Sequence, residues 1–337
     1  MAQEIAETGA VLARQLAANA SATKRVVALL RKRDPRVVVT IARGSSDHAS
    51  HYLKYLVEIE LGVPCASIGP SIASLYQAPL RLEGALALTI SQSGRSPDIV
   101  AMQAAARRAG ALTLALVNDV ESPVARGAES LLPLHAGWEK SVAATKSMIA
   151  ALVAGVALVA DWVGDDKLGE AIGKLPALLS APAPPPSRSL IEIIAAARSA
   201  LVLGRGATSA IAAEAALKLK ETCAIHAEAF SSAEVLHGPA AIVTPGFLVI
   251  AFMPQDAARE GMGETLQQLA RIGAQLVVVD VAPQPARSVL VVPAADHPLL
   301  TPIVMIHRFY GLVEACARAL GRDPDNPPHL RKITETT

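Results

Sequence analysis

Aromatic and charged side chains are both scarce in this sequence of 337 residues. Aromatic residues make up 3% and charged residues 18%, whereas 52% of the residues are hydrophobic. A chain with so many apolar and so few charged residues can bury large cores, which excludes an intrinsically disordered protein. The length is sufficient for two domains. A net charge of +1 without any basic run argues against nucleic acid as the main partner.

Cysteine is rare as well. Cys65, Cys223 and Cys316 lie far apart and lack the spacing of metal ligands, so we expect reduced, mostly buried thiols and no metal site. The N-terminal residues contain no apolar signal-peptide core. The longest uncharged run, 147–160, is too short for a membrane span and fits a buried helix better. These features predict a soluble, cytoplasmic protein that binds no membrane.

Apolar, β-branched runs alternate with stretches of helical periodicity through the first half of the chain. The predicted strands are 37–41, 85–90, 112–117 and 131–134. The predicted helices are 4–31 (with a break near 19–23), 47–60, 98–109 and 148–162. Buried strands that lead through tight turns into helices are typical of a parallel sheet covered on both faces. We therefore predict an α/β protein built from doubly wound, flavodoxin-like domains.

The second half of the chain repeats the pattern of the first. Three landmarks recur at an offset of 162 or 163: Arg43-Gly44 at Arg205-Gly206, Gly84 at Gly246, and 108–111 at 271–274. A nearly constant offset across most of a domain indicates a duplication. The proline-rich stretch 176–189 is typical of a stiff, extended connector. We predict two tandem domains, 1–175 and 190–321, followed by a C-terminal tail, 322–337.

A hydroxyl-rich turn, Ser91-Gln92-Ser93-Gly94-Arg95-Ser96, follows the second predicted strand and leads into a helix. At such a turn the backbone N–H groups and the helix dipole favour an anion, and serine hydroxyls add neutral donors. The pattern is neither a Walker loop nor a dinucleotide-binding turn, so it predicts a site for a phosphate monoester. An ordinary serine/glycine loop with a capping hydroxyl is the alternative. Gly44, Ser45 and Ser46 hold the equivalent position after the first strand, either within the same site or as a plain turn and helix cap.

The segment 212–239 concentrates carboxylates, imidazoles and an ammonium group in an otherwise apolar chain. Its helical part places Glu214, Lys218 and Glu221 on one face. An exposed helix with salt bridges accounts for this spacing equally well. In an active site, the Glu221 carboxylate would move a proton between two carbons next to a carbonyl or imine. Lys218 would keep that carboxylate ionised or orient it.

Two histidines follow, in a region predicted as a break and a second turn. His237 could move protons during sugar ring opening, with a purely structural histidine as the alternative. We assign His226 to structure. The polar tail either frays or folds over a site, and Lys332 is the lysine that it would then supply.

The two copies differ at the positions where chemistry is expected. The hydroxyl-rich turn of the first copy aligns with 253–256 of the second, which reads Met-Pro-Gln-Asp. The acidic helix of the second copy aligns with 51–58, where Lys54 and Glu58 persist without the flanking pattern. A single site built from both copies explains this difference better than two independent sites.

These residues together resemble a known family, the sugar isomerase (SIS) family, and within it the isomerase half of glutamine–fructose-6-phosphate aminotransferase. The resemblance is carried by the blocks ARGSSDHA, TISQSGRSPDIV, EKSVAATKSM, LGRGATSAIAAEAALKLKETCAIHAEAFSSAEVLHGP and HLRK. The glutaminase half, with its nucleophilic cysteine, has no counterpart before Met1. The resemblance therefore favours the stand-alone deaminases, which convert glucosamine 6-phosphate to fructose 6-phosphate and ammonia without metal or organic cofactor. A fructosamine-6-phosphate deglycase, an aldose–ketose isomerase and a non-enzymatic sugar-phosphate sensor stay open as alternatives.

The resemblance also implies a role for individual residues. It places four side chains at the phosphate: Ser91, Gln92, Ser93 and Ser96. It places Ser46 and the backbone of Val142 near the sugar, and assigns the C1–C2 proton transfer to Glu221. His237 would assist ring opening from the partner subunit, which implies an obligate homodimer with composite sites. Lys332 matches a tail lysine that forms a Schiff base with the ketose.

Three positions depart from the family pattern and leave the identity of the sugar open. Arg95 replaces an acidic residue, Ala144 replaces a serine that touches substrate, and Leu236 replaces the lysine before the catalytic histidine.

Overall fold

The computed structural model describes residues 1–284 and 288–332. The chain divides into two compact units. The N-terminal unit is formed by Glu7–Glu139 and Lys146–Pro176, together with the tail from Arg331. The C-terminal unit comprises Met1–Ala6, Lys140–Thr145 and Ala177–Leu330.

The N-terminal unit is a parallel sheet of five strands with helices on its faces. Its elements are α1 (Ala2–Arg33), β1 (Val37–Ile41), α2 (Ser45–Leu61), β2 (Cys65–Ser67), α3 (Ser71–Ser74), β3 (Ala85–Ser91), α4 (Pro97–Arg108), β4 (Leu112–Val117), α5 (Pro123–Gly127), β5 (Ser130–Pro133), α6 (Lys146–Val163) and α7 (Asp166–Ser180). The strand order is β2-β1-β3-β4-β5, and all neighbouring pairs are parallel. Strands β3 and β4 are buried throughout, because helices cover both faces of a sheet of this kind.

The C-terminal unit has the same architecture. Its elements are α8 (Arg188–Ala196), β6 (Ser199–Gly204), α9 (Ala207–Lys218), β7 (His226–Ser231), β8 (Leu248–Phe252), α10 (Arg259–Ile272), β9 (Gln275–Asp280), β10 (Ser288–Val291) and α11 (Thr301–Ala319). The strand order β10-β9-β8-β6-β7 is that of the N-terminal unit with each strand replaced by its counterpart. The prediction of two doubly wound α/β domains is confirmed.

The landmarks that signalled the duplication are glycines in matching backbone conformations. Gly44 has φ 56° and ψ −134°, and Gly206 has φ 58° and ψ −136°. Both precede the first helix after the first strand of their sheet. A side chain with a Cβ rarely adopts positive φ, so the turn requires glycine in both copies.

Four features of the fold differ from the sequence predictions. Helix α1 is continuous, because the Asn19 amide donates to the carbonyl of Pro133 at 2.8 Å rather than competing for its own backbone. Helix α7 continues through Pro176 to Ser180, so the extended connector is shorter than 176–189. The expected break after α9 contains the edge strand β7. The C-terminal unit includes Lys140–Thr145, since the Glu4 carboxylate accepts hydrogen bonds from the backbone N–H groups of Lys140 and Ser141.

Two helical segments are long and apolar enough to meet a membrane-span criterion by length and composition. They are Lys146–Val163 and Pro298–Ala319, with mean hydropathy of 1.7 and 1.3. About three quarters of each is buried inside the protein (78% and 72%), which is typical of core helices. All three cysteines are free and buried, as predicted, and burial raises the pKa of the Cys316 thiol to about 12.

Candidate active site

The two serine turns of the N-terminal unit meet at one edge of its sheet. Strands β1 and β3 are neighbours, with Ile41 opposite Thr89, so their carboxyl ends lie side by side. The chain leaves β1 toward β2 and leaves β3 toward β4, in opposite directions across the sheet. The crevice at such a reversal is where doubly wound folds bind ligands. Gly44, Ser45 and Ser46 follow β1, and the hydroxyl-rich turn 91–96 follows β3.

Local hydrogen bonds hold the hydroxyl-rich turn in a compact conformation. The Ser91 hydroxyl accepts from the N–H of Gly94 at 2.9 Å, and the Ser93 hydroxyl accepts from the N–H of Arg95 at 3.3 Å. Gly94 has φ 62°, and a Cβ at this position would lie 2.2 Å from the Ser122 hydroxyl oxygen. The turn therefore requires glycine for both conformation and space. Ser96 occupies the N-cap of α4, which begins beside this turn at Pro97.

An ion pair connects the two turns. The Arg43 guanidinium donates to the Asp98 carboxylate through Nε at 3.1 Å and Nη2 at 3.0 Å. Asp98 lies in the first turn of α4 and is 1% exposed, so this contact fixes the start of α4 relative to the loop after β1. Neither residue was predicted to have a role.

Arg95, one of the departures from the family pattern, is neutralised locally. Its Nη2 lies 2.6 Å from Oδ2 of Asp119, and its Nε lies 2.9 Å from the same oxygen. The hydrogen bond from Arg95 keeps the pKa of the Asp119 carboxyl below its ordinary value. The added charge is therefore held by Asp119.

The C-terminal unit contains a buried array of two carboxylates and one ammonium group. The Lys218 side chain is fully buried, with Nζ 3.4 Å from Glu214 Oε1 and 2.5 Å from Glu221 Oε2. The Tyr310 hydroxyl donates to Glu214 at 3.0 Å. Burial alone would lower the pKa of the Lys218 ammonium, but the two carboxylates more than offset it, so the pKa is raised. The predicted face of one helix is thus present, in the protein interior rather than at an exposed surface.

Glu221 is the member of this array that solvent reaches, with 18% of its side chain exposed. It lies in a π-helical turn, Leu219–Cys223, that follows α9. The Thr222 hydroxyl donates to the carbonyl of Lys218 at 2.8 Å, and Ala224 ends the turn with φ 53°. Single π-helical turns occur frequently at functional sites, because they redirect a side chain out of helical register. The arrangement gives a carboxylate with one exposed side and a buried cation behind it.

His237 is exposed on the surface of the C-terminal unit. It ends a short 3-10 turn, Val235–His237, and its N–H donates to the carbonyl of Glu234 at 2.8 Å. Gly238 follows with φ 146°, a conformation that other residues rarely adopt. His226 begins strand β7 and is also exposed.

The segment 139–146 and the tail carry the remaining predicted residues. The N–H of Val142 donates to the carbonyl of Asp325 at 3.1 Å, so a sugar contact from this backbone would have to come from the carbonyl. Ala144 is half-buried in the same segment. The Lys332 ammonium lies 3.0 Å from Oε2 of Glu139, whose side chain is fully buried. The remainder of the predicted tail, 333–337, lies outside the described residues.

Glu139 is a functional candidate that sequence reasoning missed. Besides Lys332, it accepts from the hydroxyl of Ser147 at 2.6 Å and from its backbone N–H at 3.1 Å. Glu139 lies in the block EKSVAATKSM, which carries part of the family resemblance. Its pairing with a distant lysine could not be seen from the sequence. Among the residues that the structure describes, no group of three or more His, Cys, Asp or Glu could hold a metal ion.

Known proteins share both the fold and much of the sequence. A family model described as the SIS domain matches residues 21–160 and 193–315. The isomerizing glutamine–fructose-6-phosphate aminotransferase of a Thermus thermophilus strain is 34% identical over 98% of this chain and 58% of that protein. The enzyme of the same name from Bradyrhizobium diazoefficiens is 33% identical over 88% and 51%. The chain thus spans about half the length of the curated relatives it matches.

Solved structures agree along nearly the whole chain. A candidate phosphosugar isomerase from Silicibacter pomeroyi DSS-3 is 48% identical, with a TM-score of 0.90 over 96% of this chain and 98% of that one. The C-terminal domain of glucosamine-fructose-6-phosphate aminotransferase from Francisella tularensis is 25% identical, with a TM-score of 0.82 over 97% and 98%. The glucosamine-6-phosphate deaminase of Thermotoga maritima, at 20% identity and a TM-score of 0.77, shares the fold. With two matched regions that together cover most of its length, this chain belongs to the SIS domain family.

Proposed function

We propose that this protein is an isomerizing deaminase that converts glucosamine 6-phosphate to fructose 6-phosphate and ammonia. The chain belongs to a family of phosphosugar isomerase type, and its curated relatives are named for amino transfer to fructose 6-phosphate with isomerization. The proposal takes the sugar and the nitrogen chemistry from those names and assigns the steps to residues of this chain.

The observation that carries the proposal is the buried array around Lys218. Its ammonium is fully buried between Glu214 and Glu221, and only the Glu221 carboxylate has an exposed side. An ionised carboxylate held from behind can take a proton from one carbon and return it to the next. Isomerization and deamination of a 2-amino sugar both require that transfer between C2 and C1.

We assign the phosphate to the hydroxyl-rich turn of the N-terminal unit. The start of α4 and the serines at 91, 93 and 96 supply neutral donors and a helix N-terminus, which suit a phosphate dianion. Ser46 in the neighbouring turn is a candidate contact for the sugar hydroxyls.

The reaction would begin with ring opening, in which His237 moves a proton between the ring oxygen and the C1 hydroxyl. Glu221 then removes the C2 proton from the aldehyde form, which gives an enolamine. Return of this proton to C1 gives a ketimine at C2. Water adds to the ketimine, and the carbinolamine collapses to fructose 6-phosphate and ammonia.

Lys332 offers a second route for the last step, in which its amine displaces ammonia to form its own ketimine. Its ammonium is paired with the buried Glu139 at 3.0 Å, and an ammonium has no lone pair for attack. This route therefore requires Lys332 to leave Glu139 and lose a proton. We also propose a cytoplasmic homodimer in which His237 serves the partner's site, which would account for its exposure on its own unit.

Aldose–ketose isomerization of a phosphosugar without nitrogen is the second candidate function. The relative that is 48% identical bears the name of a candidate phosphosugar isomerase. Glu221 would again move a proton from C2 to C1. C2 would carry a hydroxyl group in place of the amino group, so no ammonia would be released.

One assay separates these reactions. Ammonia release is measured with glucosamine 6-phosphate, release of the free amino acid is measured with an amino-acid-linked fructosamine 6-phosphate, and ketose formation is measured with glucose 6-phosphate. We expect ammonia only from glucosamine 6-phosphate. Glu221→Gln should lower turnover about 10²–10⁴-fold, whereas Glu228→Gln, an exposed carboxylate on β7, should leave it unchanged. Ketose without ammonia would replace the deaminase with the isomerase, and substrate binding without turnover would indicate a sensor.

A further inference from the structure

A cavity of the C-terminal unit has chemistry that the proposed reaction does not use. Its volume is about 640 Å³, and it lies between the proline-rich connector, strand β10 and helix α11. Much of its wall is apolar, with contributions from Leu178, Leu190, Val289 and the prolines 184–186. Small-molecule sites in proteins have this size and this predominantly apolar lining.

His307 also lines this cavity, and its imidazole contains a buried acceptor without a partner. The residue is 4% exposed, and its Nε2 lies 3.1 Å from the carbonyl oxygen of Ile5. Because a carbonyl can only accept, Nε2 carries the proton, and Nδ1 of the neutral ring has a bare lone pair. Nδ1 is buried and has no hydrogen-bond partner among the described atoms. Burial lowers the pKa of this imidazole to about 4, so the ring is neutral near pH 7.

Arg308, the next residue, gives the cavity a positive charge. Its Nη2 reaches only backbone carbonyls, those of Ala181 at 3.3 Å and Leu178 at 3.5 Å. No carboxylate is paired with it in the described part of the chain, and none of the described lining residues is acidic. Partial burial lowers the pKa of its guanidinium, which reflects a cation that has lost water without gaining a counter-charge.

These features together specify a ligand. Nδ1 of His307 is closed to solvent and the ring is neutral near pH 7, so Arg308 supplies positive charge to this cavity. A guanidinium without a carboxylate favours an anion with paired oxygens. We propose that this cavity binds a small organic acid with an apolar body, whose carboxylate pairs with Arg308.

The test is calorimetric titration of the full chain with three matched probes. 2-Hydroxy-4-methylpentanoate carries the carboxylate, the hydroxyl and the apolar body. 4-Methylpentanoate lacks the hydroxyl, and 2-hydroxy-4-methylpentanamide lacks the charge. We expect the first two probes to bind with similar affinity, and loss of the charge to weaken binding at least about tenfold.

A variant and a competitor locate the bound probe. Arg308→Gln should weaken binding of the hydroxy acid at least about tenfold, whereas Arg271→Gln, an exposed arginine on α10, should leave it unchanged. Saturating inorganic phosphate should not displace the probe. Absence of binding, equal binding of all three probes, or displacement by phosphate would each overturn the proposal. Because the readout is binding rather than turnover, such a result would leave the proposed deaminase reaction unaffected.

Discussion

Replacement of Lys218 by methionine tests whether the buried ammonium group stabilises the proposed catalytic array of Glu214, Lys218 and Glu221. Methionine keeps most of the volume of the side chain and removes its ammonium group. In the native chain Lys218 is fully buried, 3.4 Å from Glu214 and 2.5 Å from Glu221. Glu214 is also fully buried, so in the variant its carboxylate keeps the Tyr310 hydroxyl, at 3.0 Å, and loses the cation.

The expected loss of stability follows from that geometry. Breaking a buried ion pair by removing one partner costs about 3–5 kcal/mol, because the other charge stays buried without compensation. At roughly 2 °C per kcal/mol for a chain of this size, Lys218→Met should lower the midpoint of thermal unfolding by about 6–10 °C. Lys220→Met makes the same change two residues away at an exposed position, and should alter stability by less than about 0.5 kcal/mol.

A double variant distinguishes lost charge pairing from lost packing. Glu214→Gln combined with Lys218→Met removes the stranded carboxylate while leaving the methionine in place. It should recover at least about 1 kcal/mol relative to Lys218→Met alone. Thermal and urea unfolding of the three variants give these values. Two results would contradict the reasoning: equal unfolding midpoints for Lys218→Met and Lys220→Met, or a double variant that is no more stable than Lys218→Met. Either result would show that the buried charge of Lys218 does not stabilise the array.

Three further predictions concern other parts of the chain. Gly94→Ala should destabilise the protein by about 2–4 kcal/mol and abolish phosphate binding, because the new Cβ would meet the Ser122 hydroxyl at 2.2 Å with φ at 62°. Gly169→Ala, which meets nothing within 4 Å, is its control in unfolding and phosphate titration, and equal behaviour of the two would contradict the reasoning. The pKa of His307 lies near 4, below its ordinary 6.5, so its contribution to stability is complete above pH 6.5 and is lost as the pH falls toward 4. Between pH 7 and pH 5 the free energy of unfolding in urea should therefore fall by about 2 kcal/mol less for His307→Gln than for the native chain. Equal decreases in the two proteins would refute this. Lys332→Arg keeps a cation for the ion pair but cannot form an imine, so ammonia release should fall at least about tenfold if the tail lysine is the nucleophile. Unchanged release would assign the last step to water.

The strands with unbroken apolar runs were predictable from sequence. Val37–Ile41 and Leu112–Val117 match their predictions residue for residue, because each is a short, largely buried run of mostly apolar residues. Strand β7 was missed. Its sequence, HAEAFS, has no β-branched residue and a partly exposed pattern, so its conformation is set by pairing with β6.

The parts of the candidate site that are formed by residues close together in the sequence were predictable. The spacing of Glu214, Lys218 and Glu221 fixes their common face, and the hydroxyl-rich turn is one continuous segment. Burial of the array could not be read from spacing, since the same pattern is typical of exposed helices. The Lys332–Glu139 pair joins residues 193 positions apart, and only the fold brings them together.

The duplicated fold explains why only one copy is suited to an anion. In the C-terminal unit the segment 253–256 replaces the hydroxyl-rich turn. Pro254 there has no N–H to offer. Asp256, at the position equivalent to Gly94, accepts from the N–H of Ala258 at 2.9 Å. Its Oδ2 would lie 3.9 Å from a Cβ placed on Gly206. A carboxylate of the chain itself therefore occupies the end of this second crevice and would repel a phosphate.

The acid–base array diverged in the opposite direction. In the N-terminal unit, α2 occupies the place of the acidic helix and contains its own pair, Lys54 and Glu58, at 3.5 Å, with 42% and 35% of their side chains exposed. An exposed pair of this kind is screened by water and cannot hold a carboxylate in a fixed state. In the C-terminal unit the same helix packs against α11, whose Tyr310 hydroxyl satisfies the inner carboxylate. The same kind of charged pair is therefore buried in one copy and partly exposed in the other, so its burial is set by the packing of each unit and not by the charged residues alone.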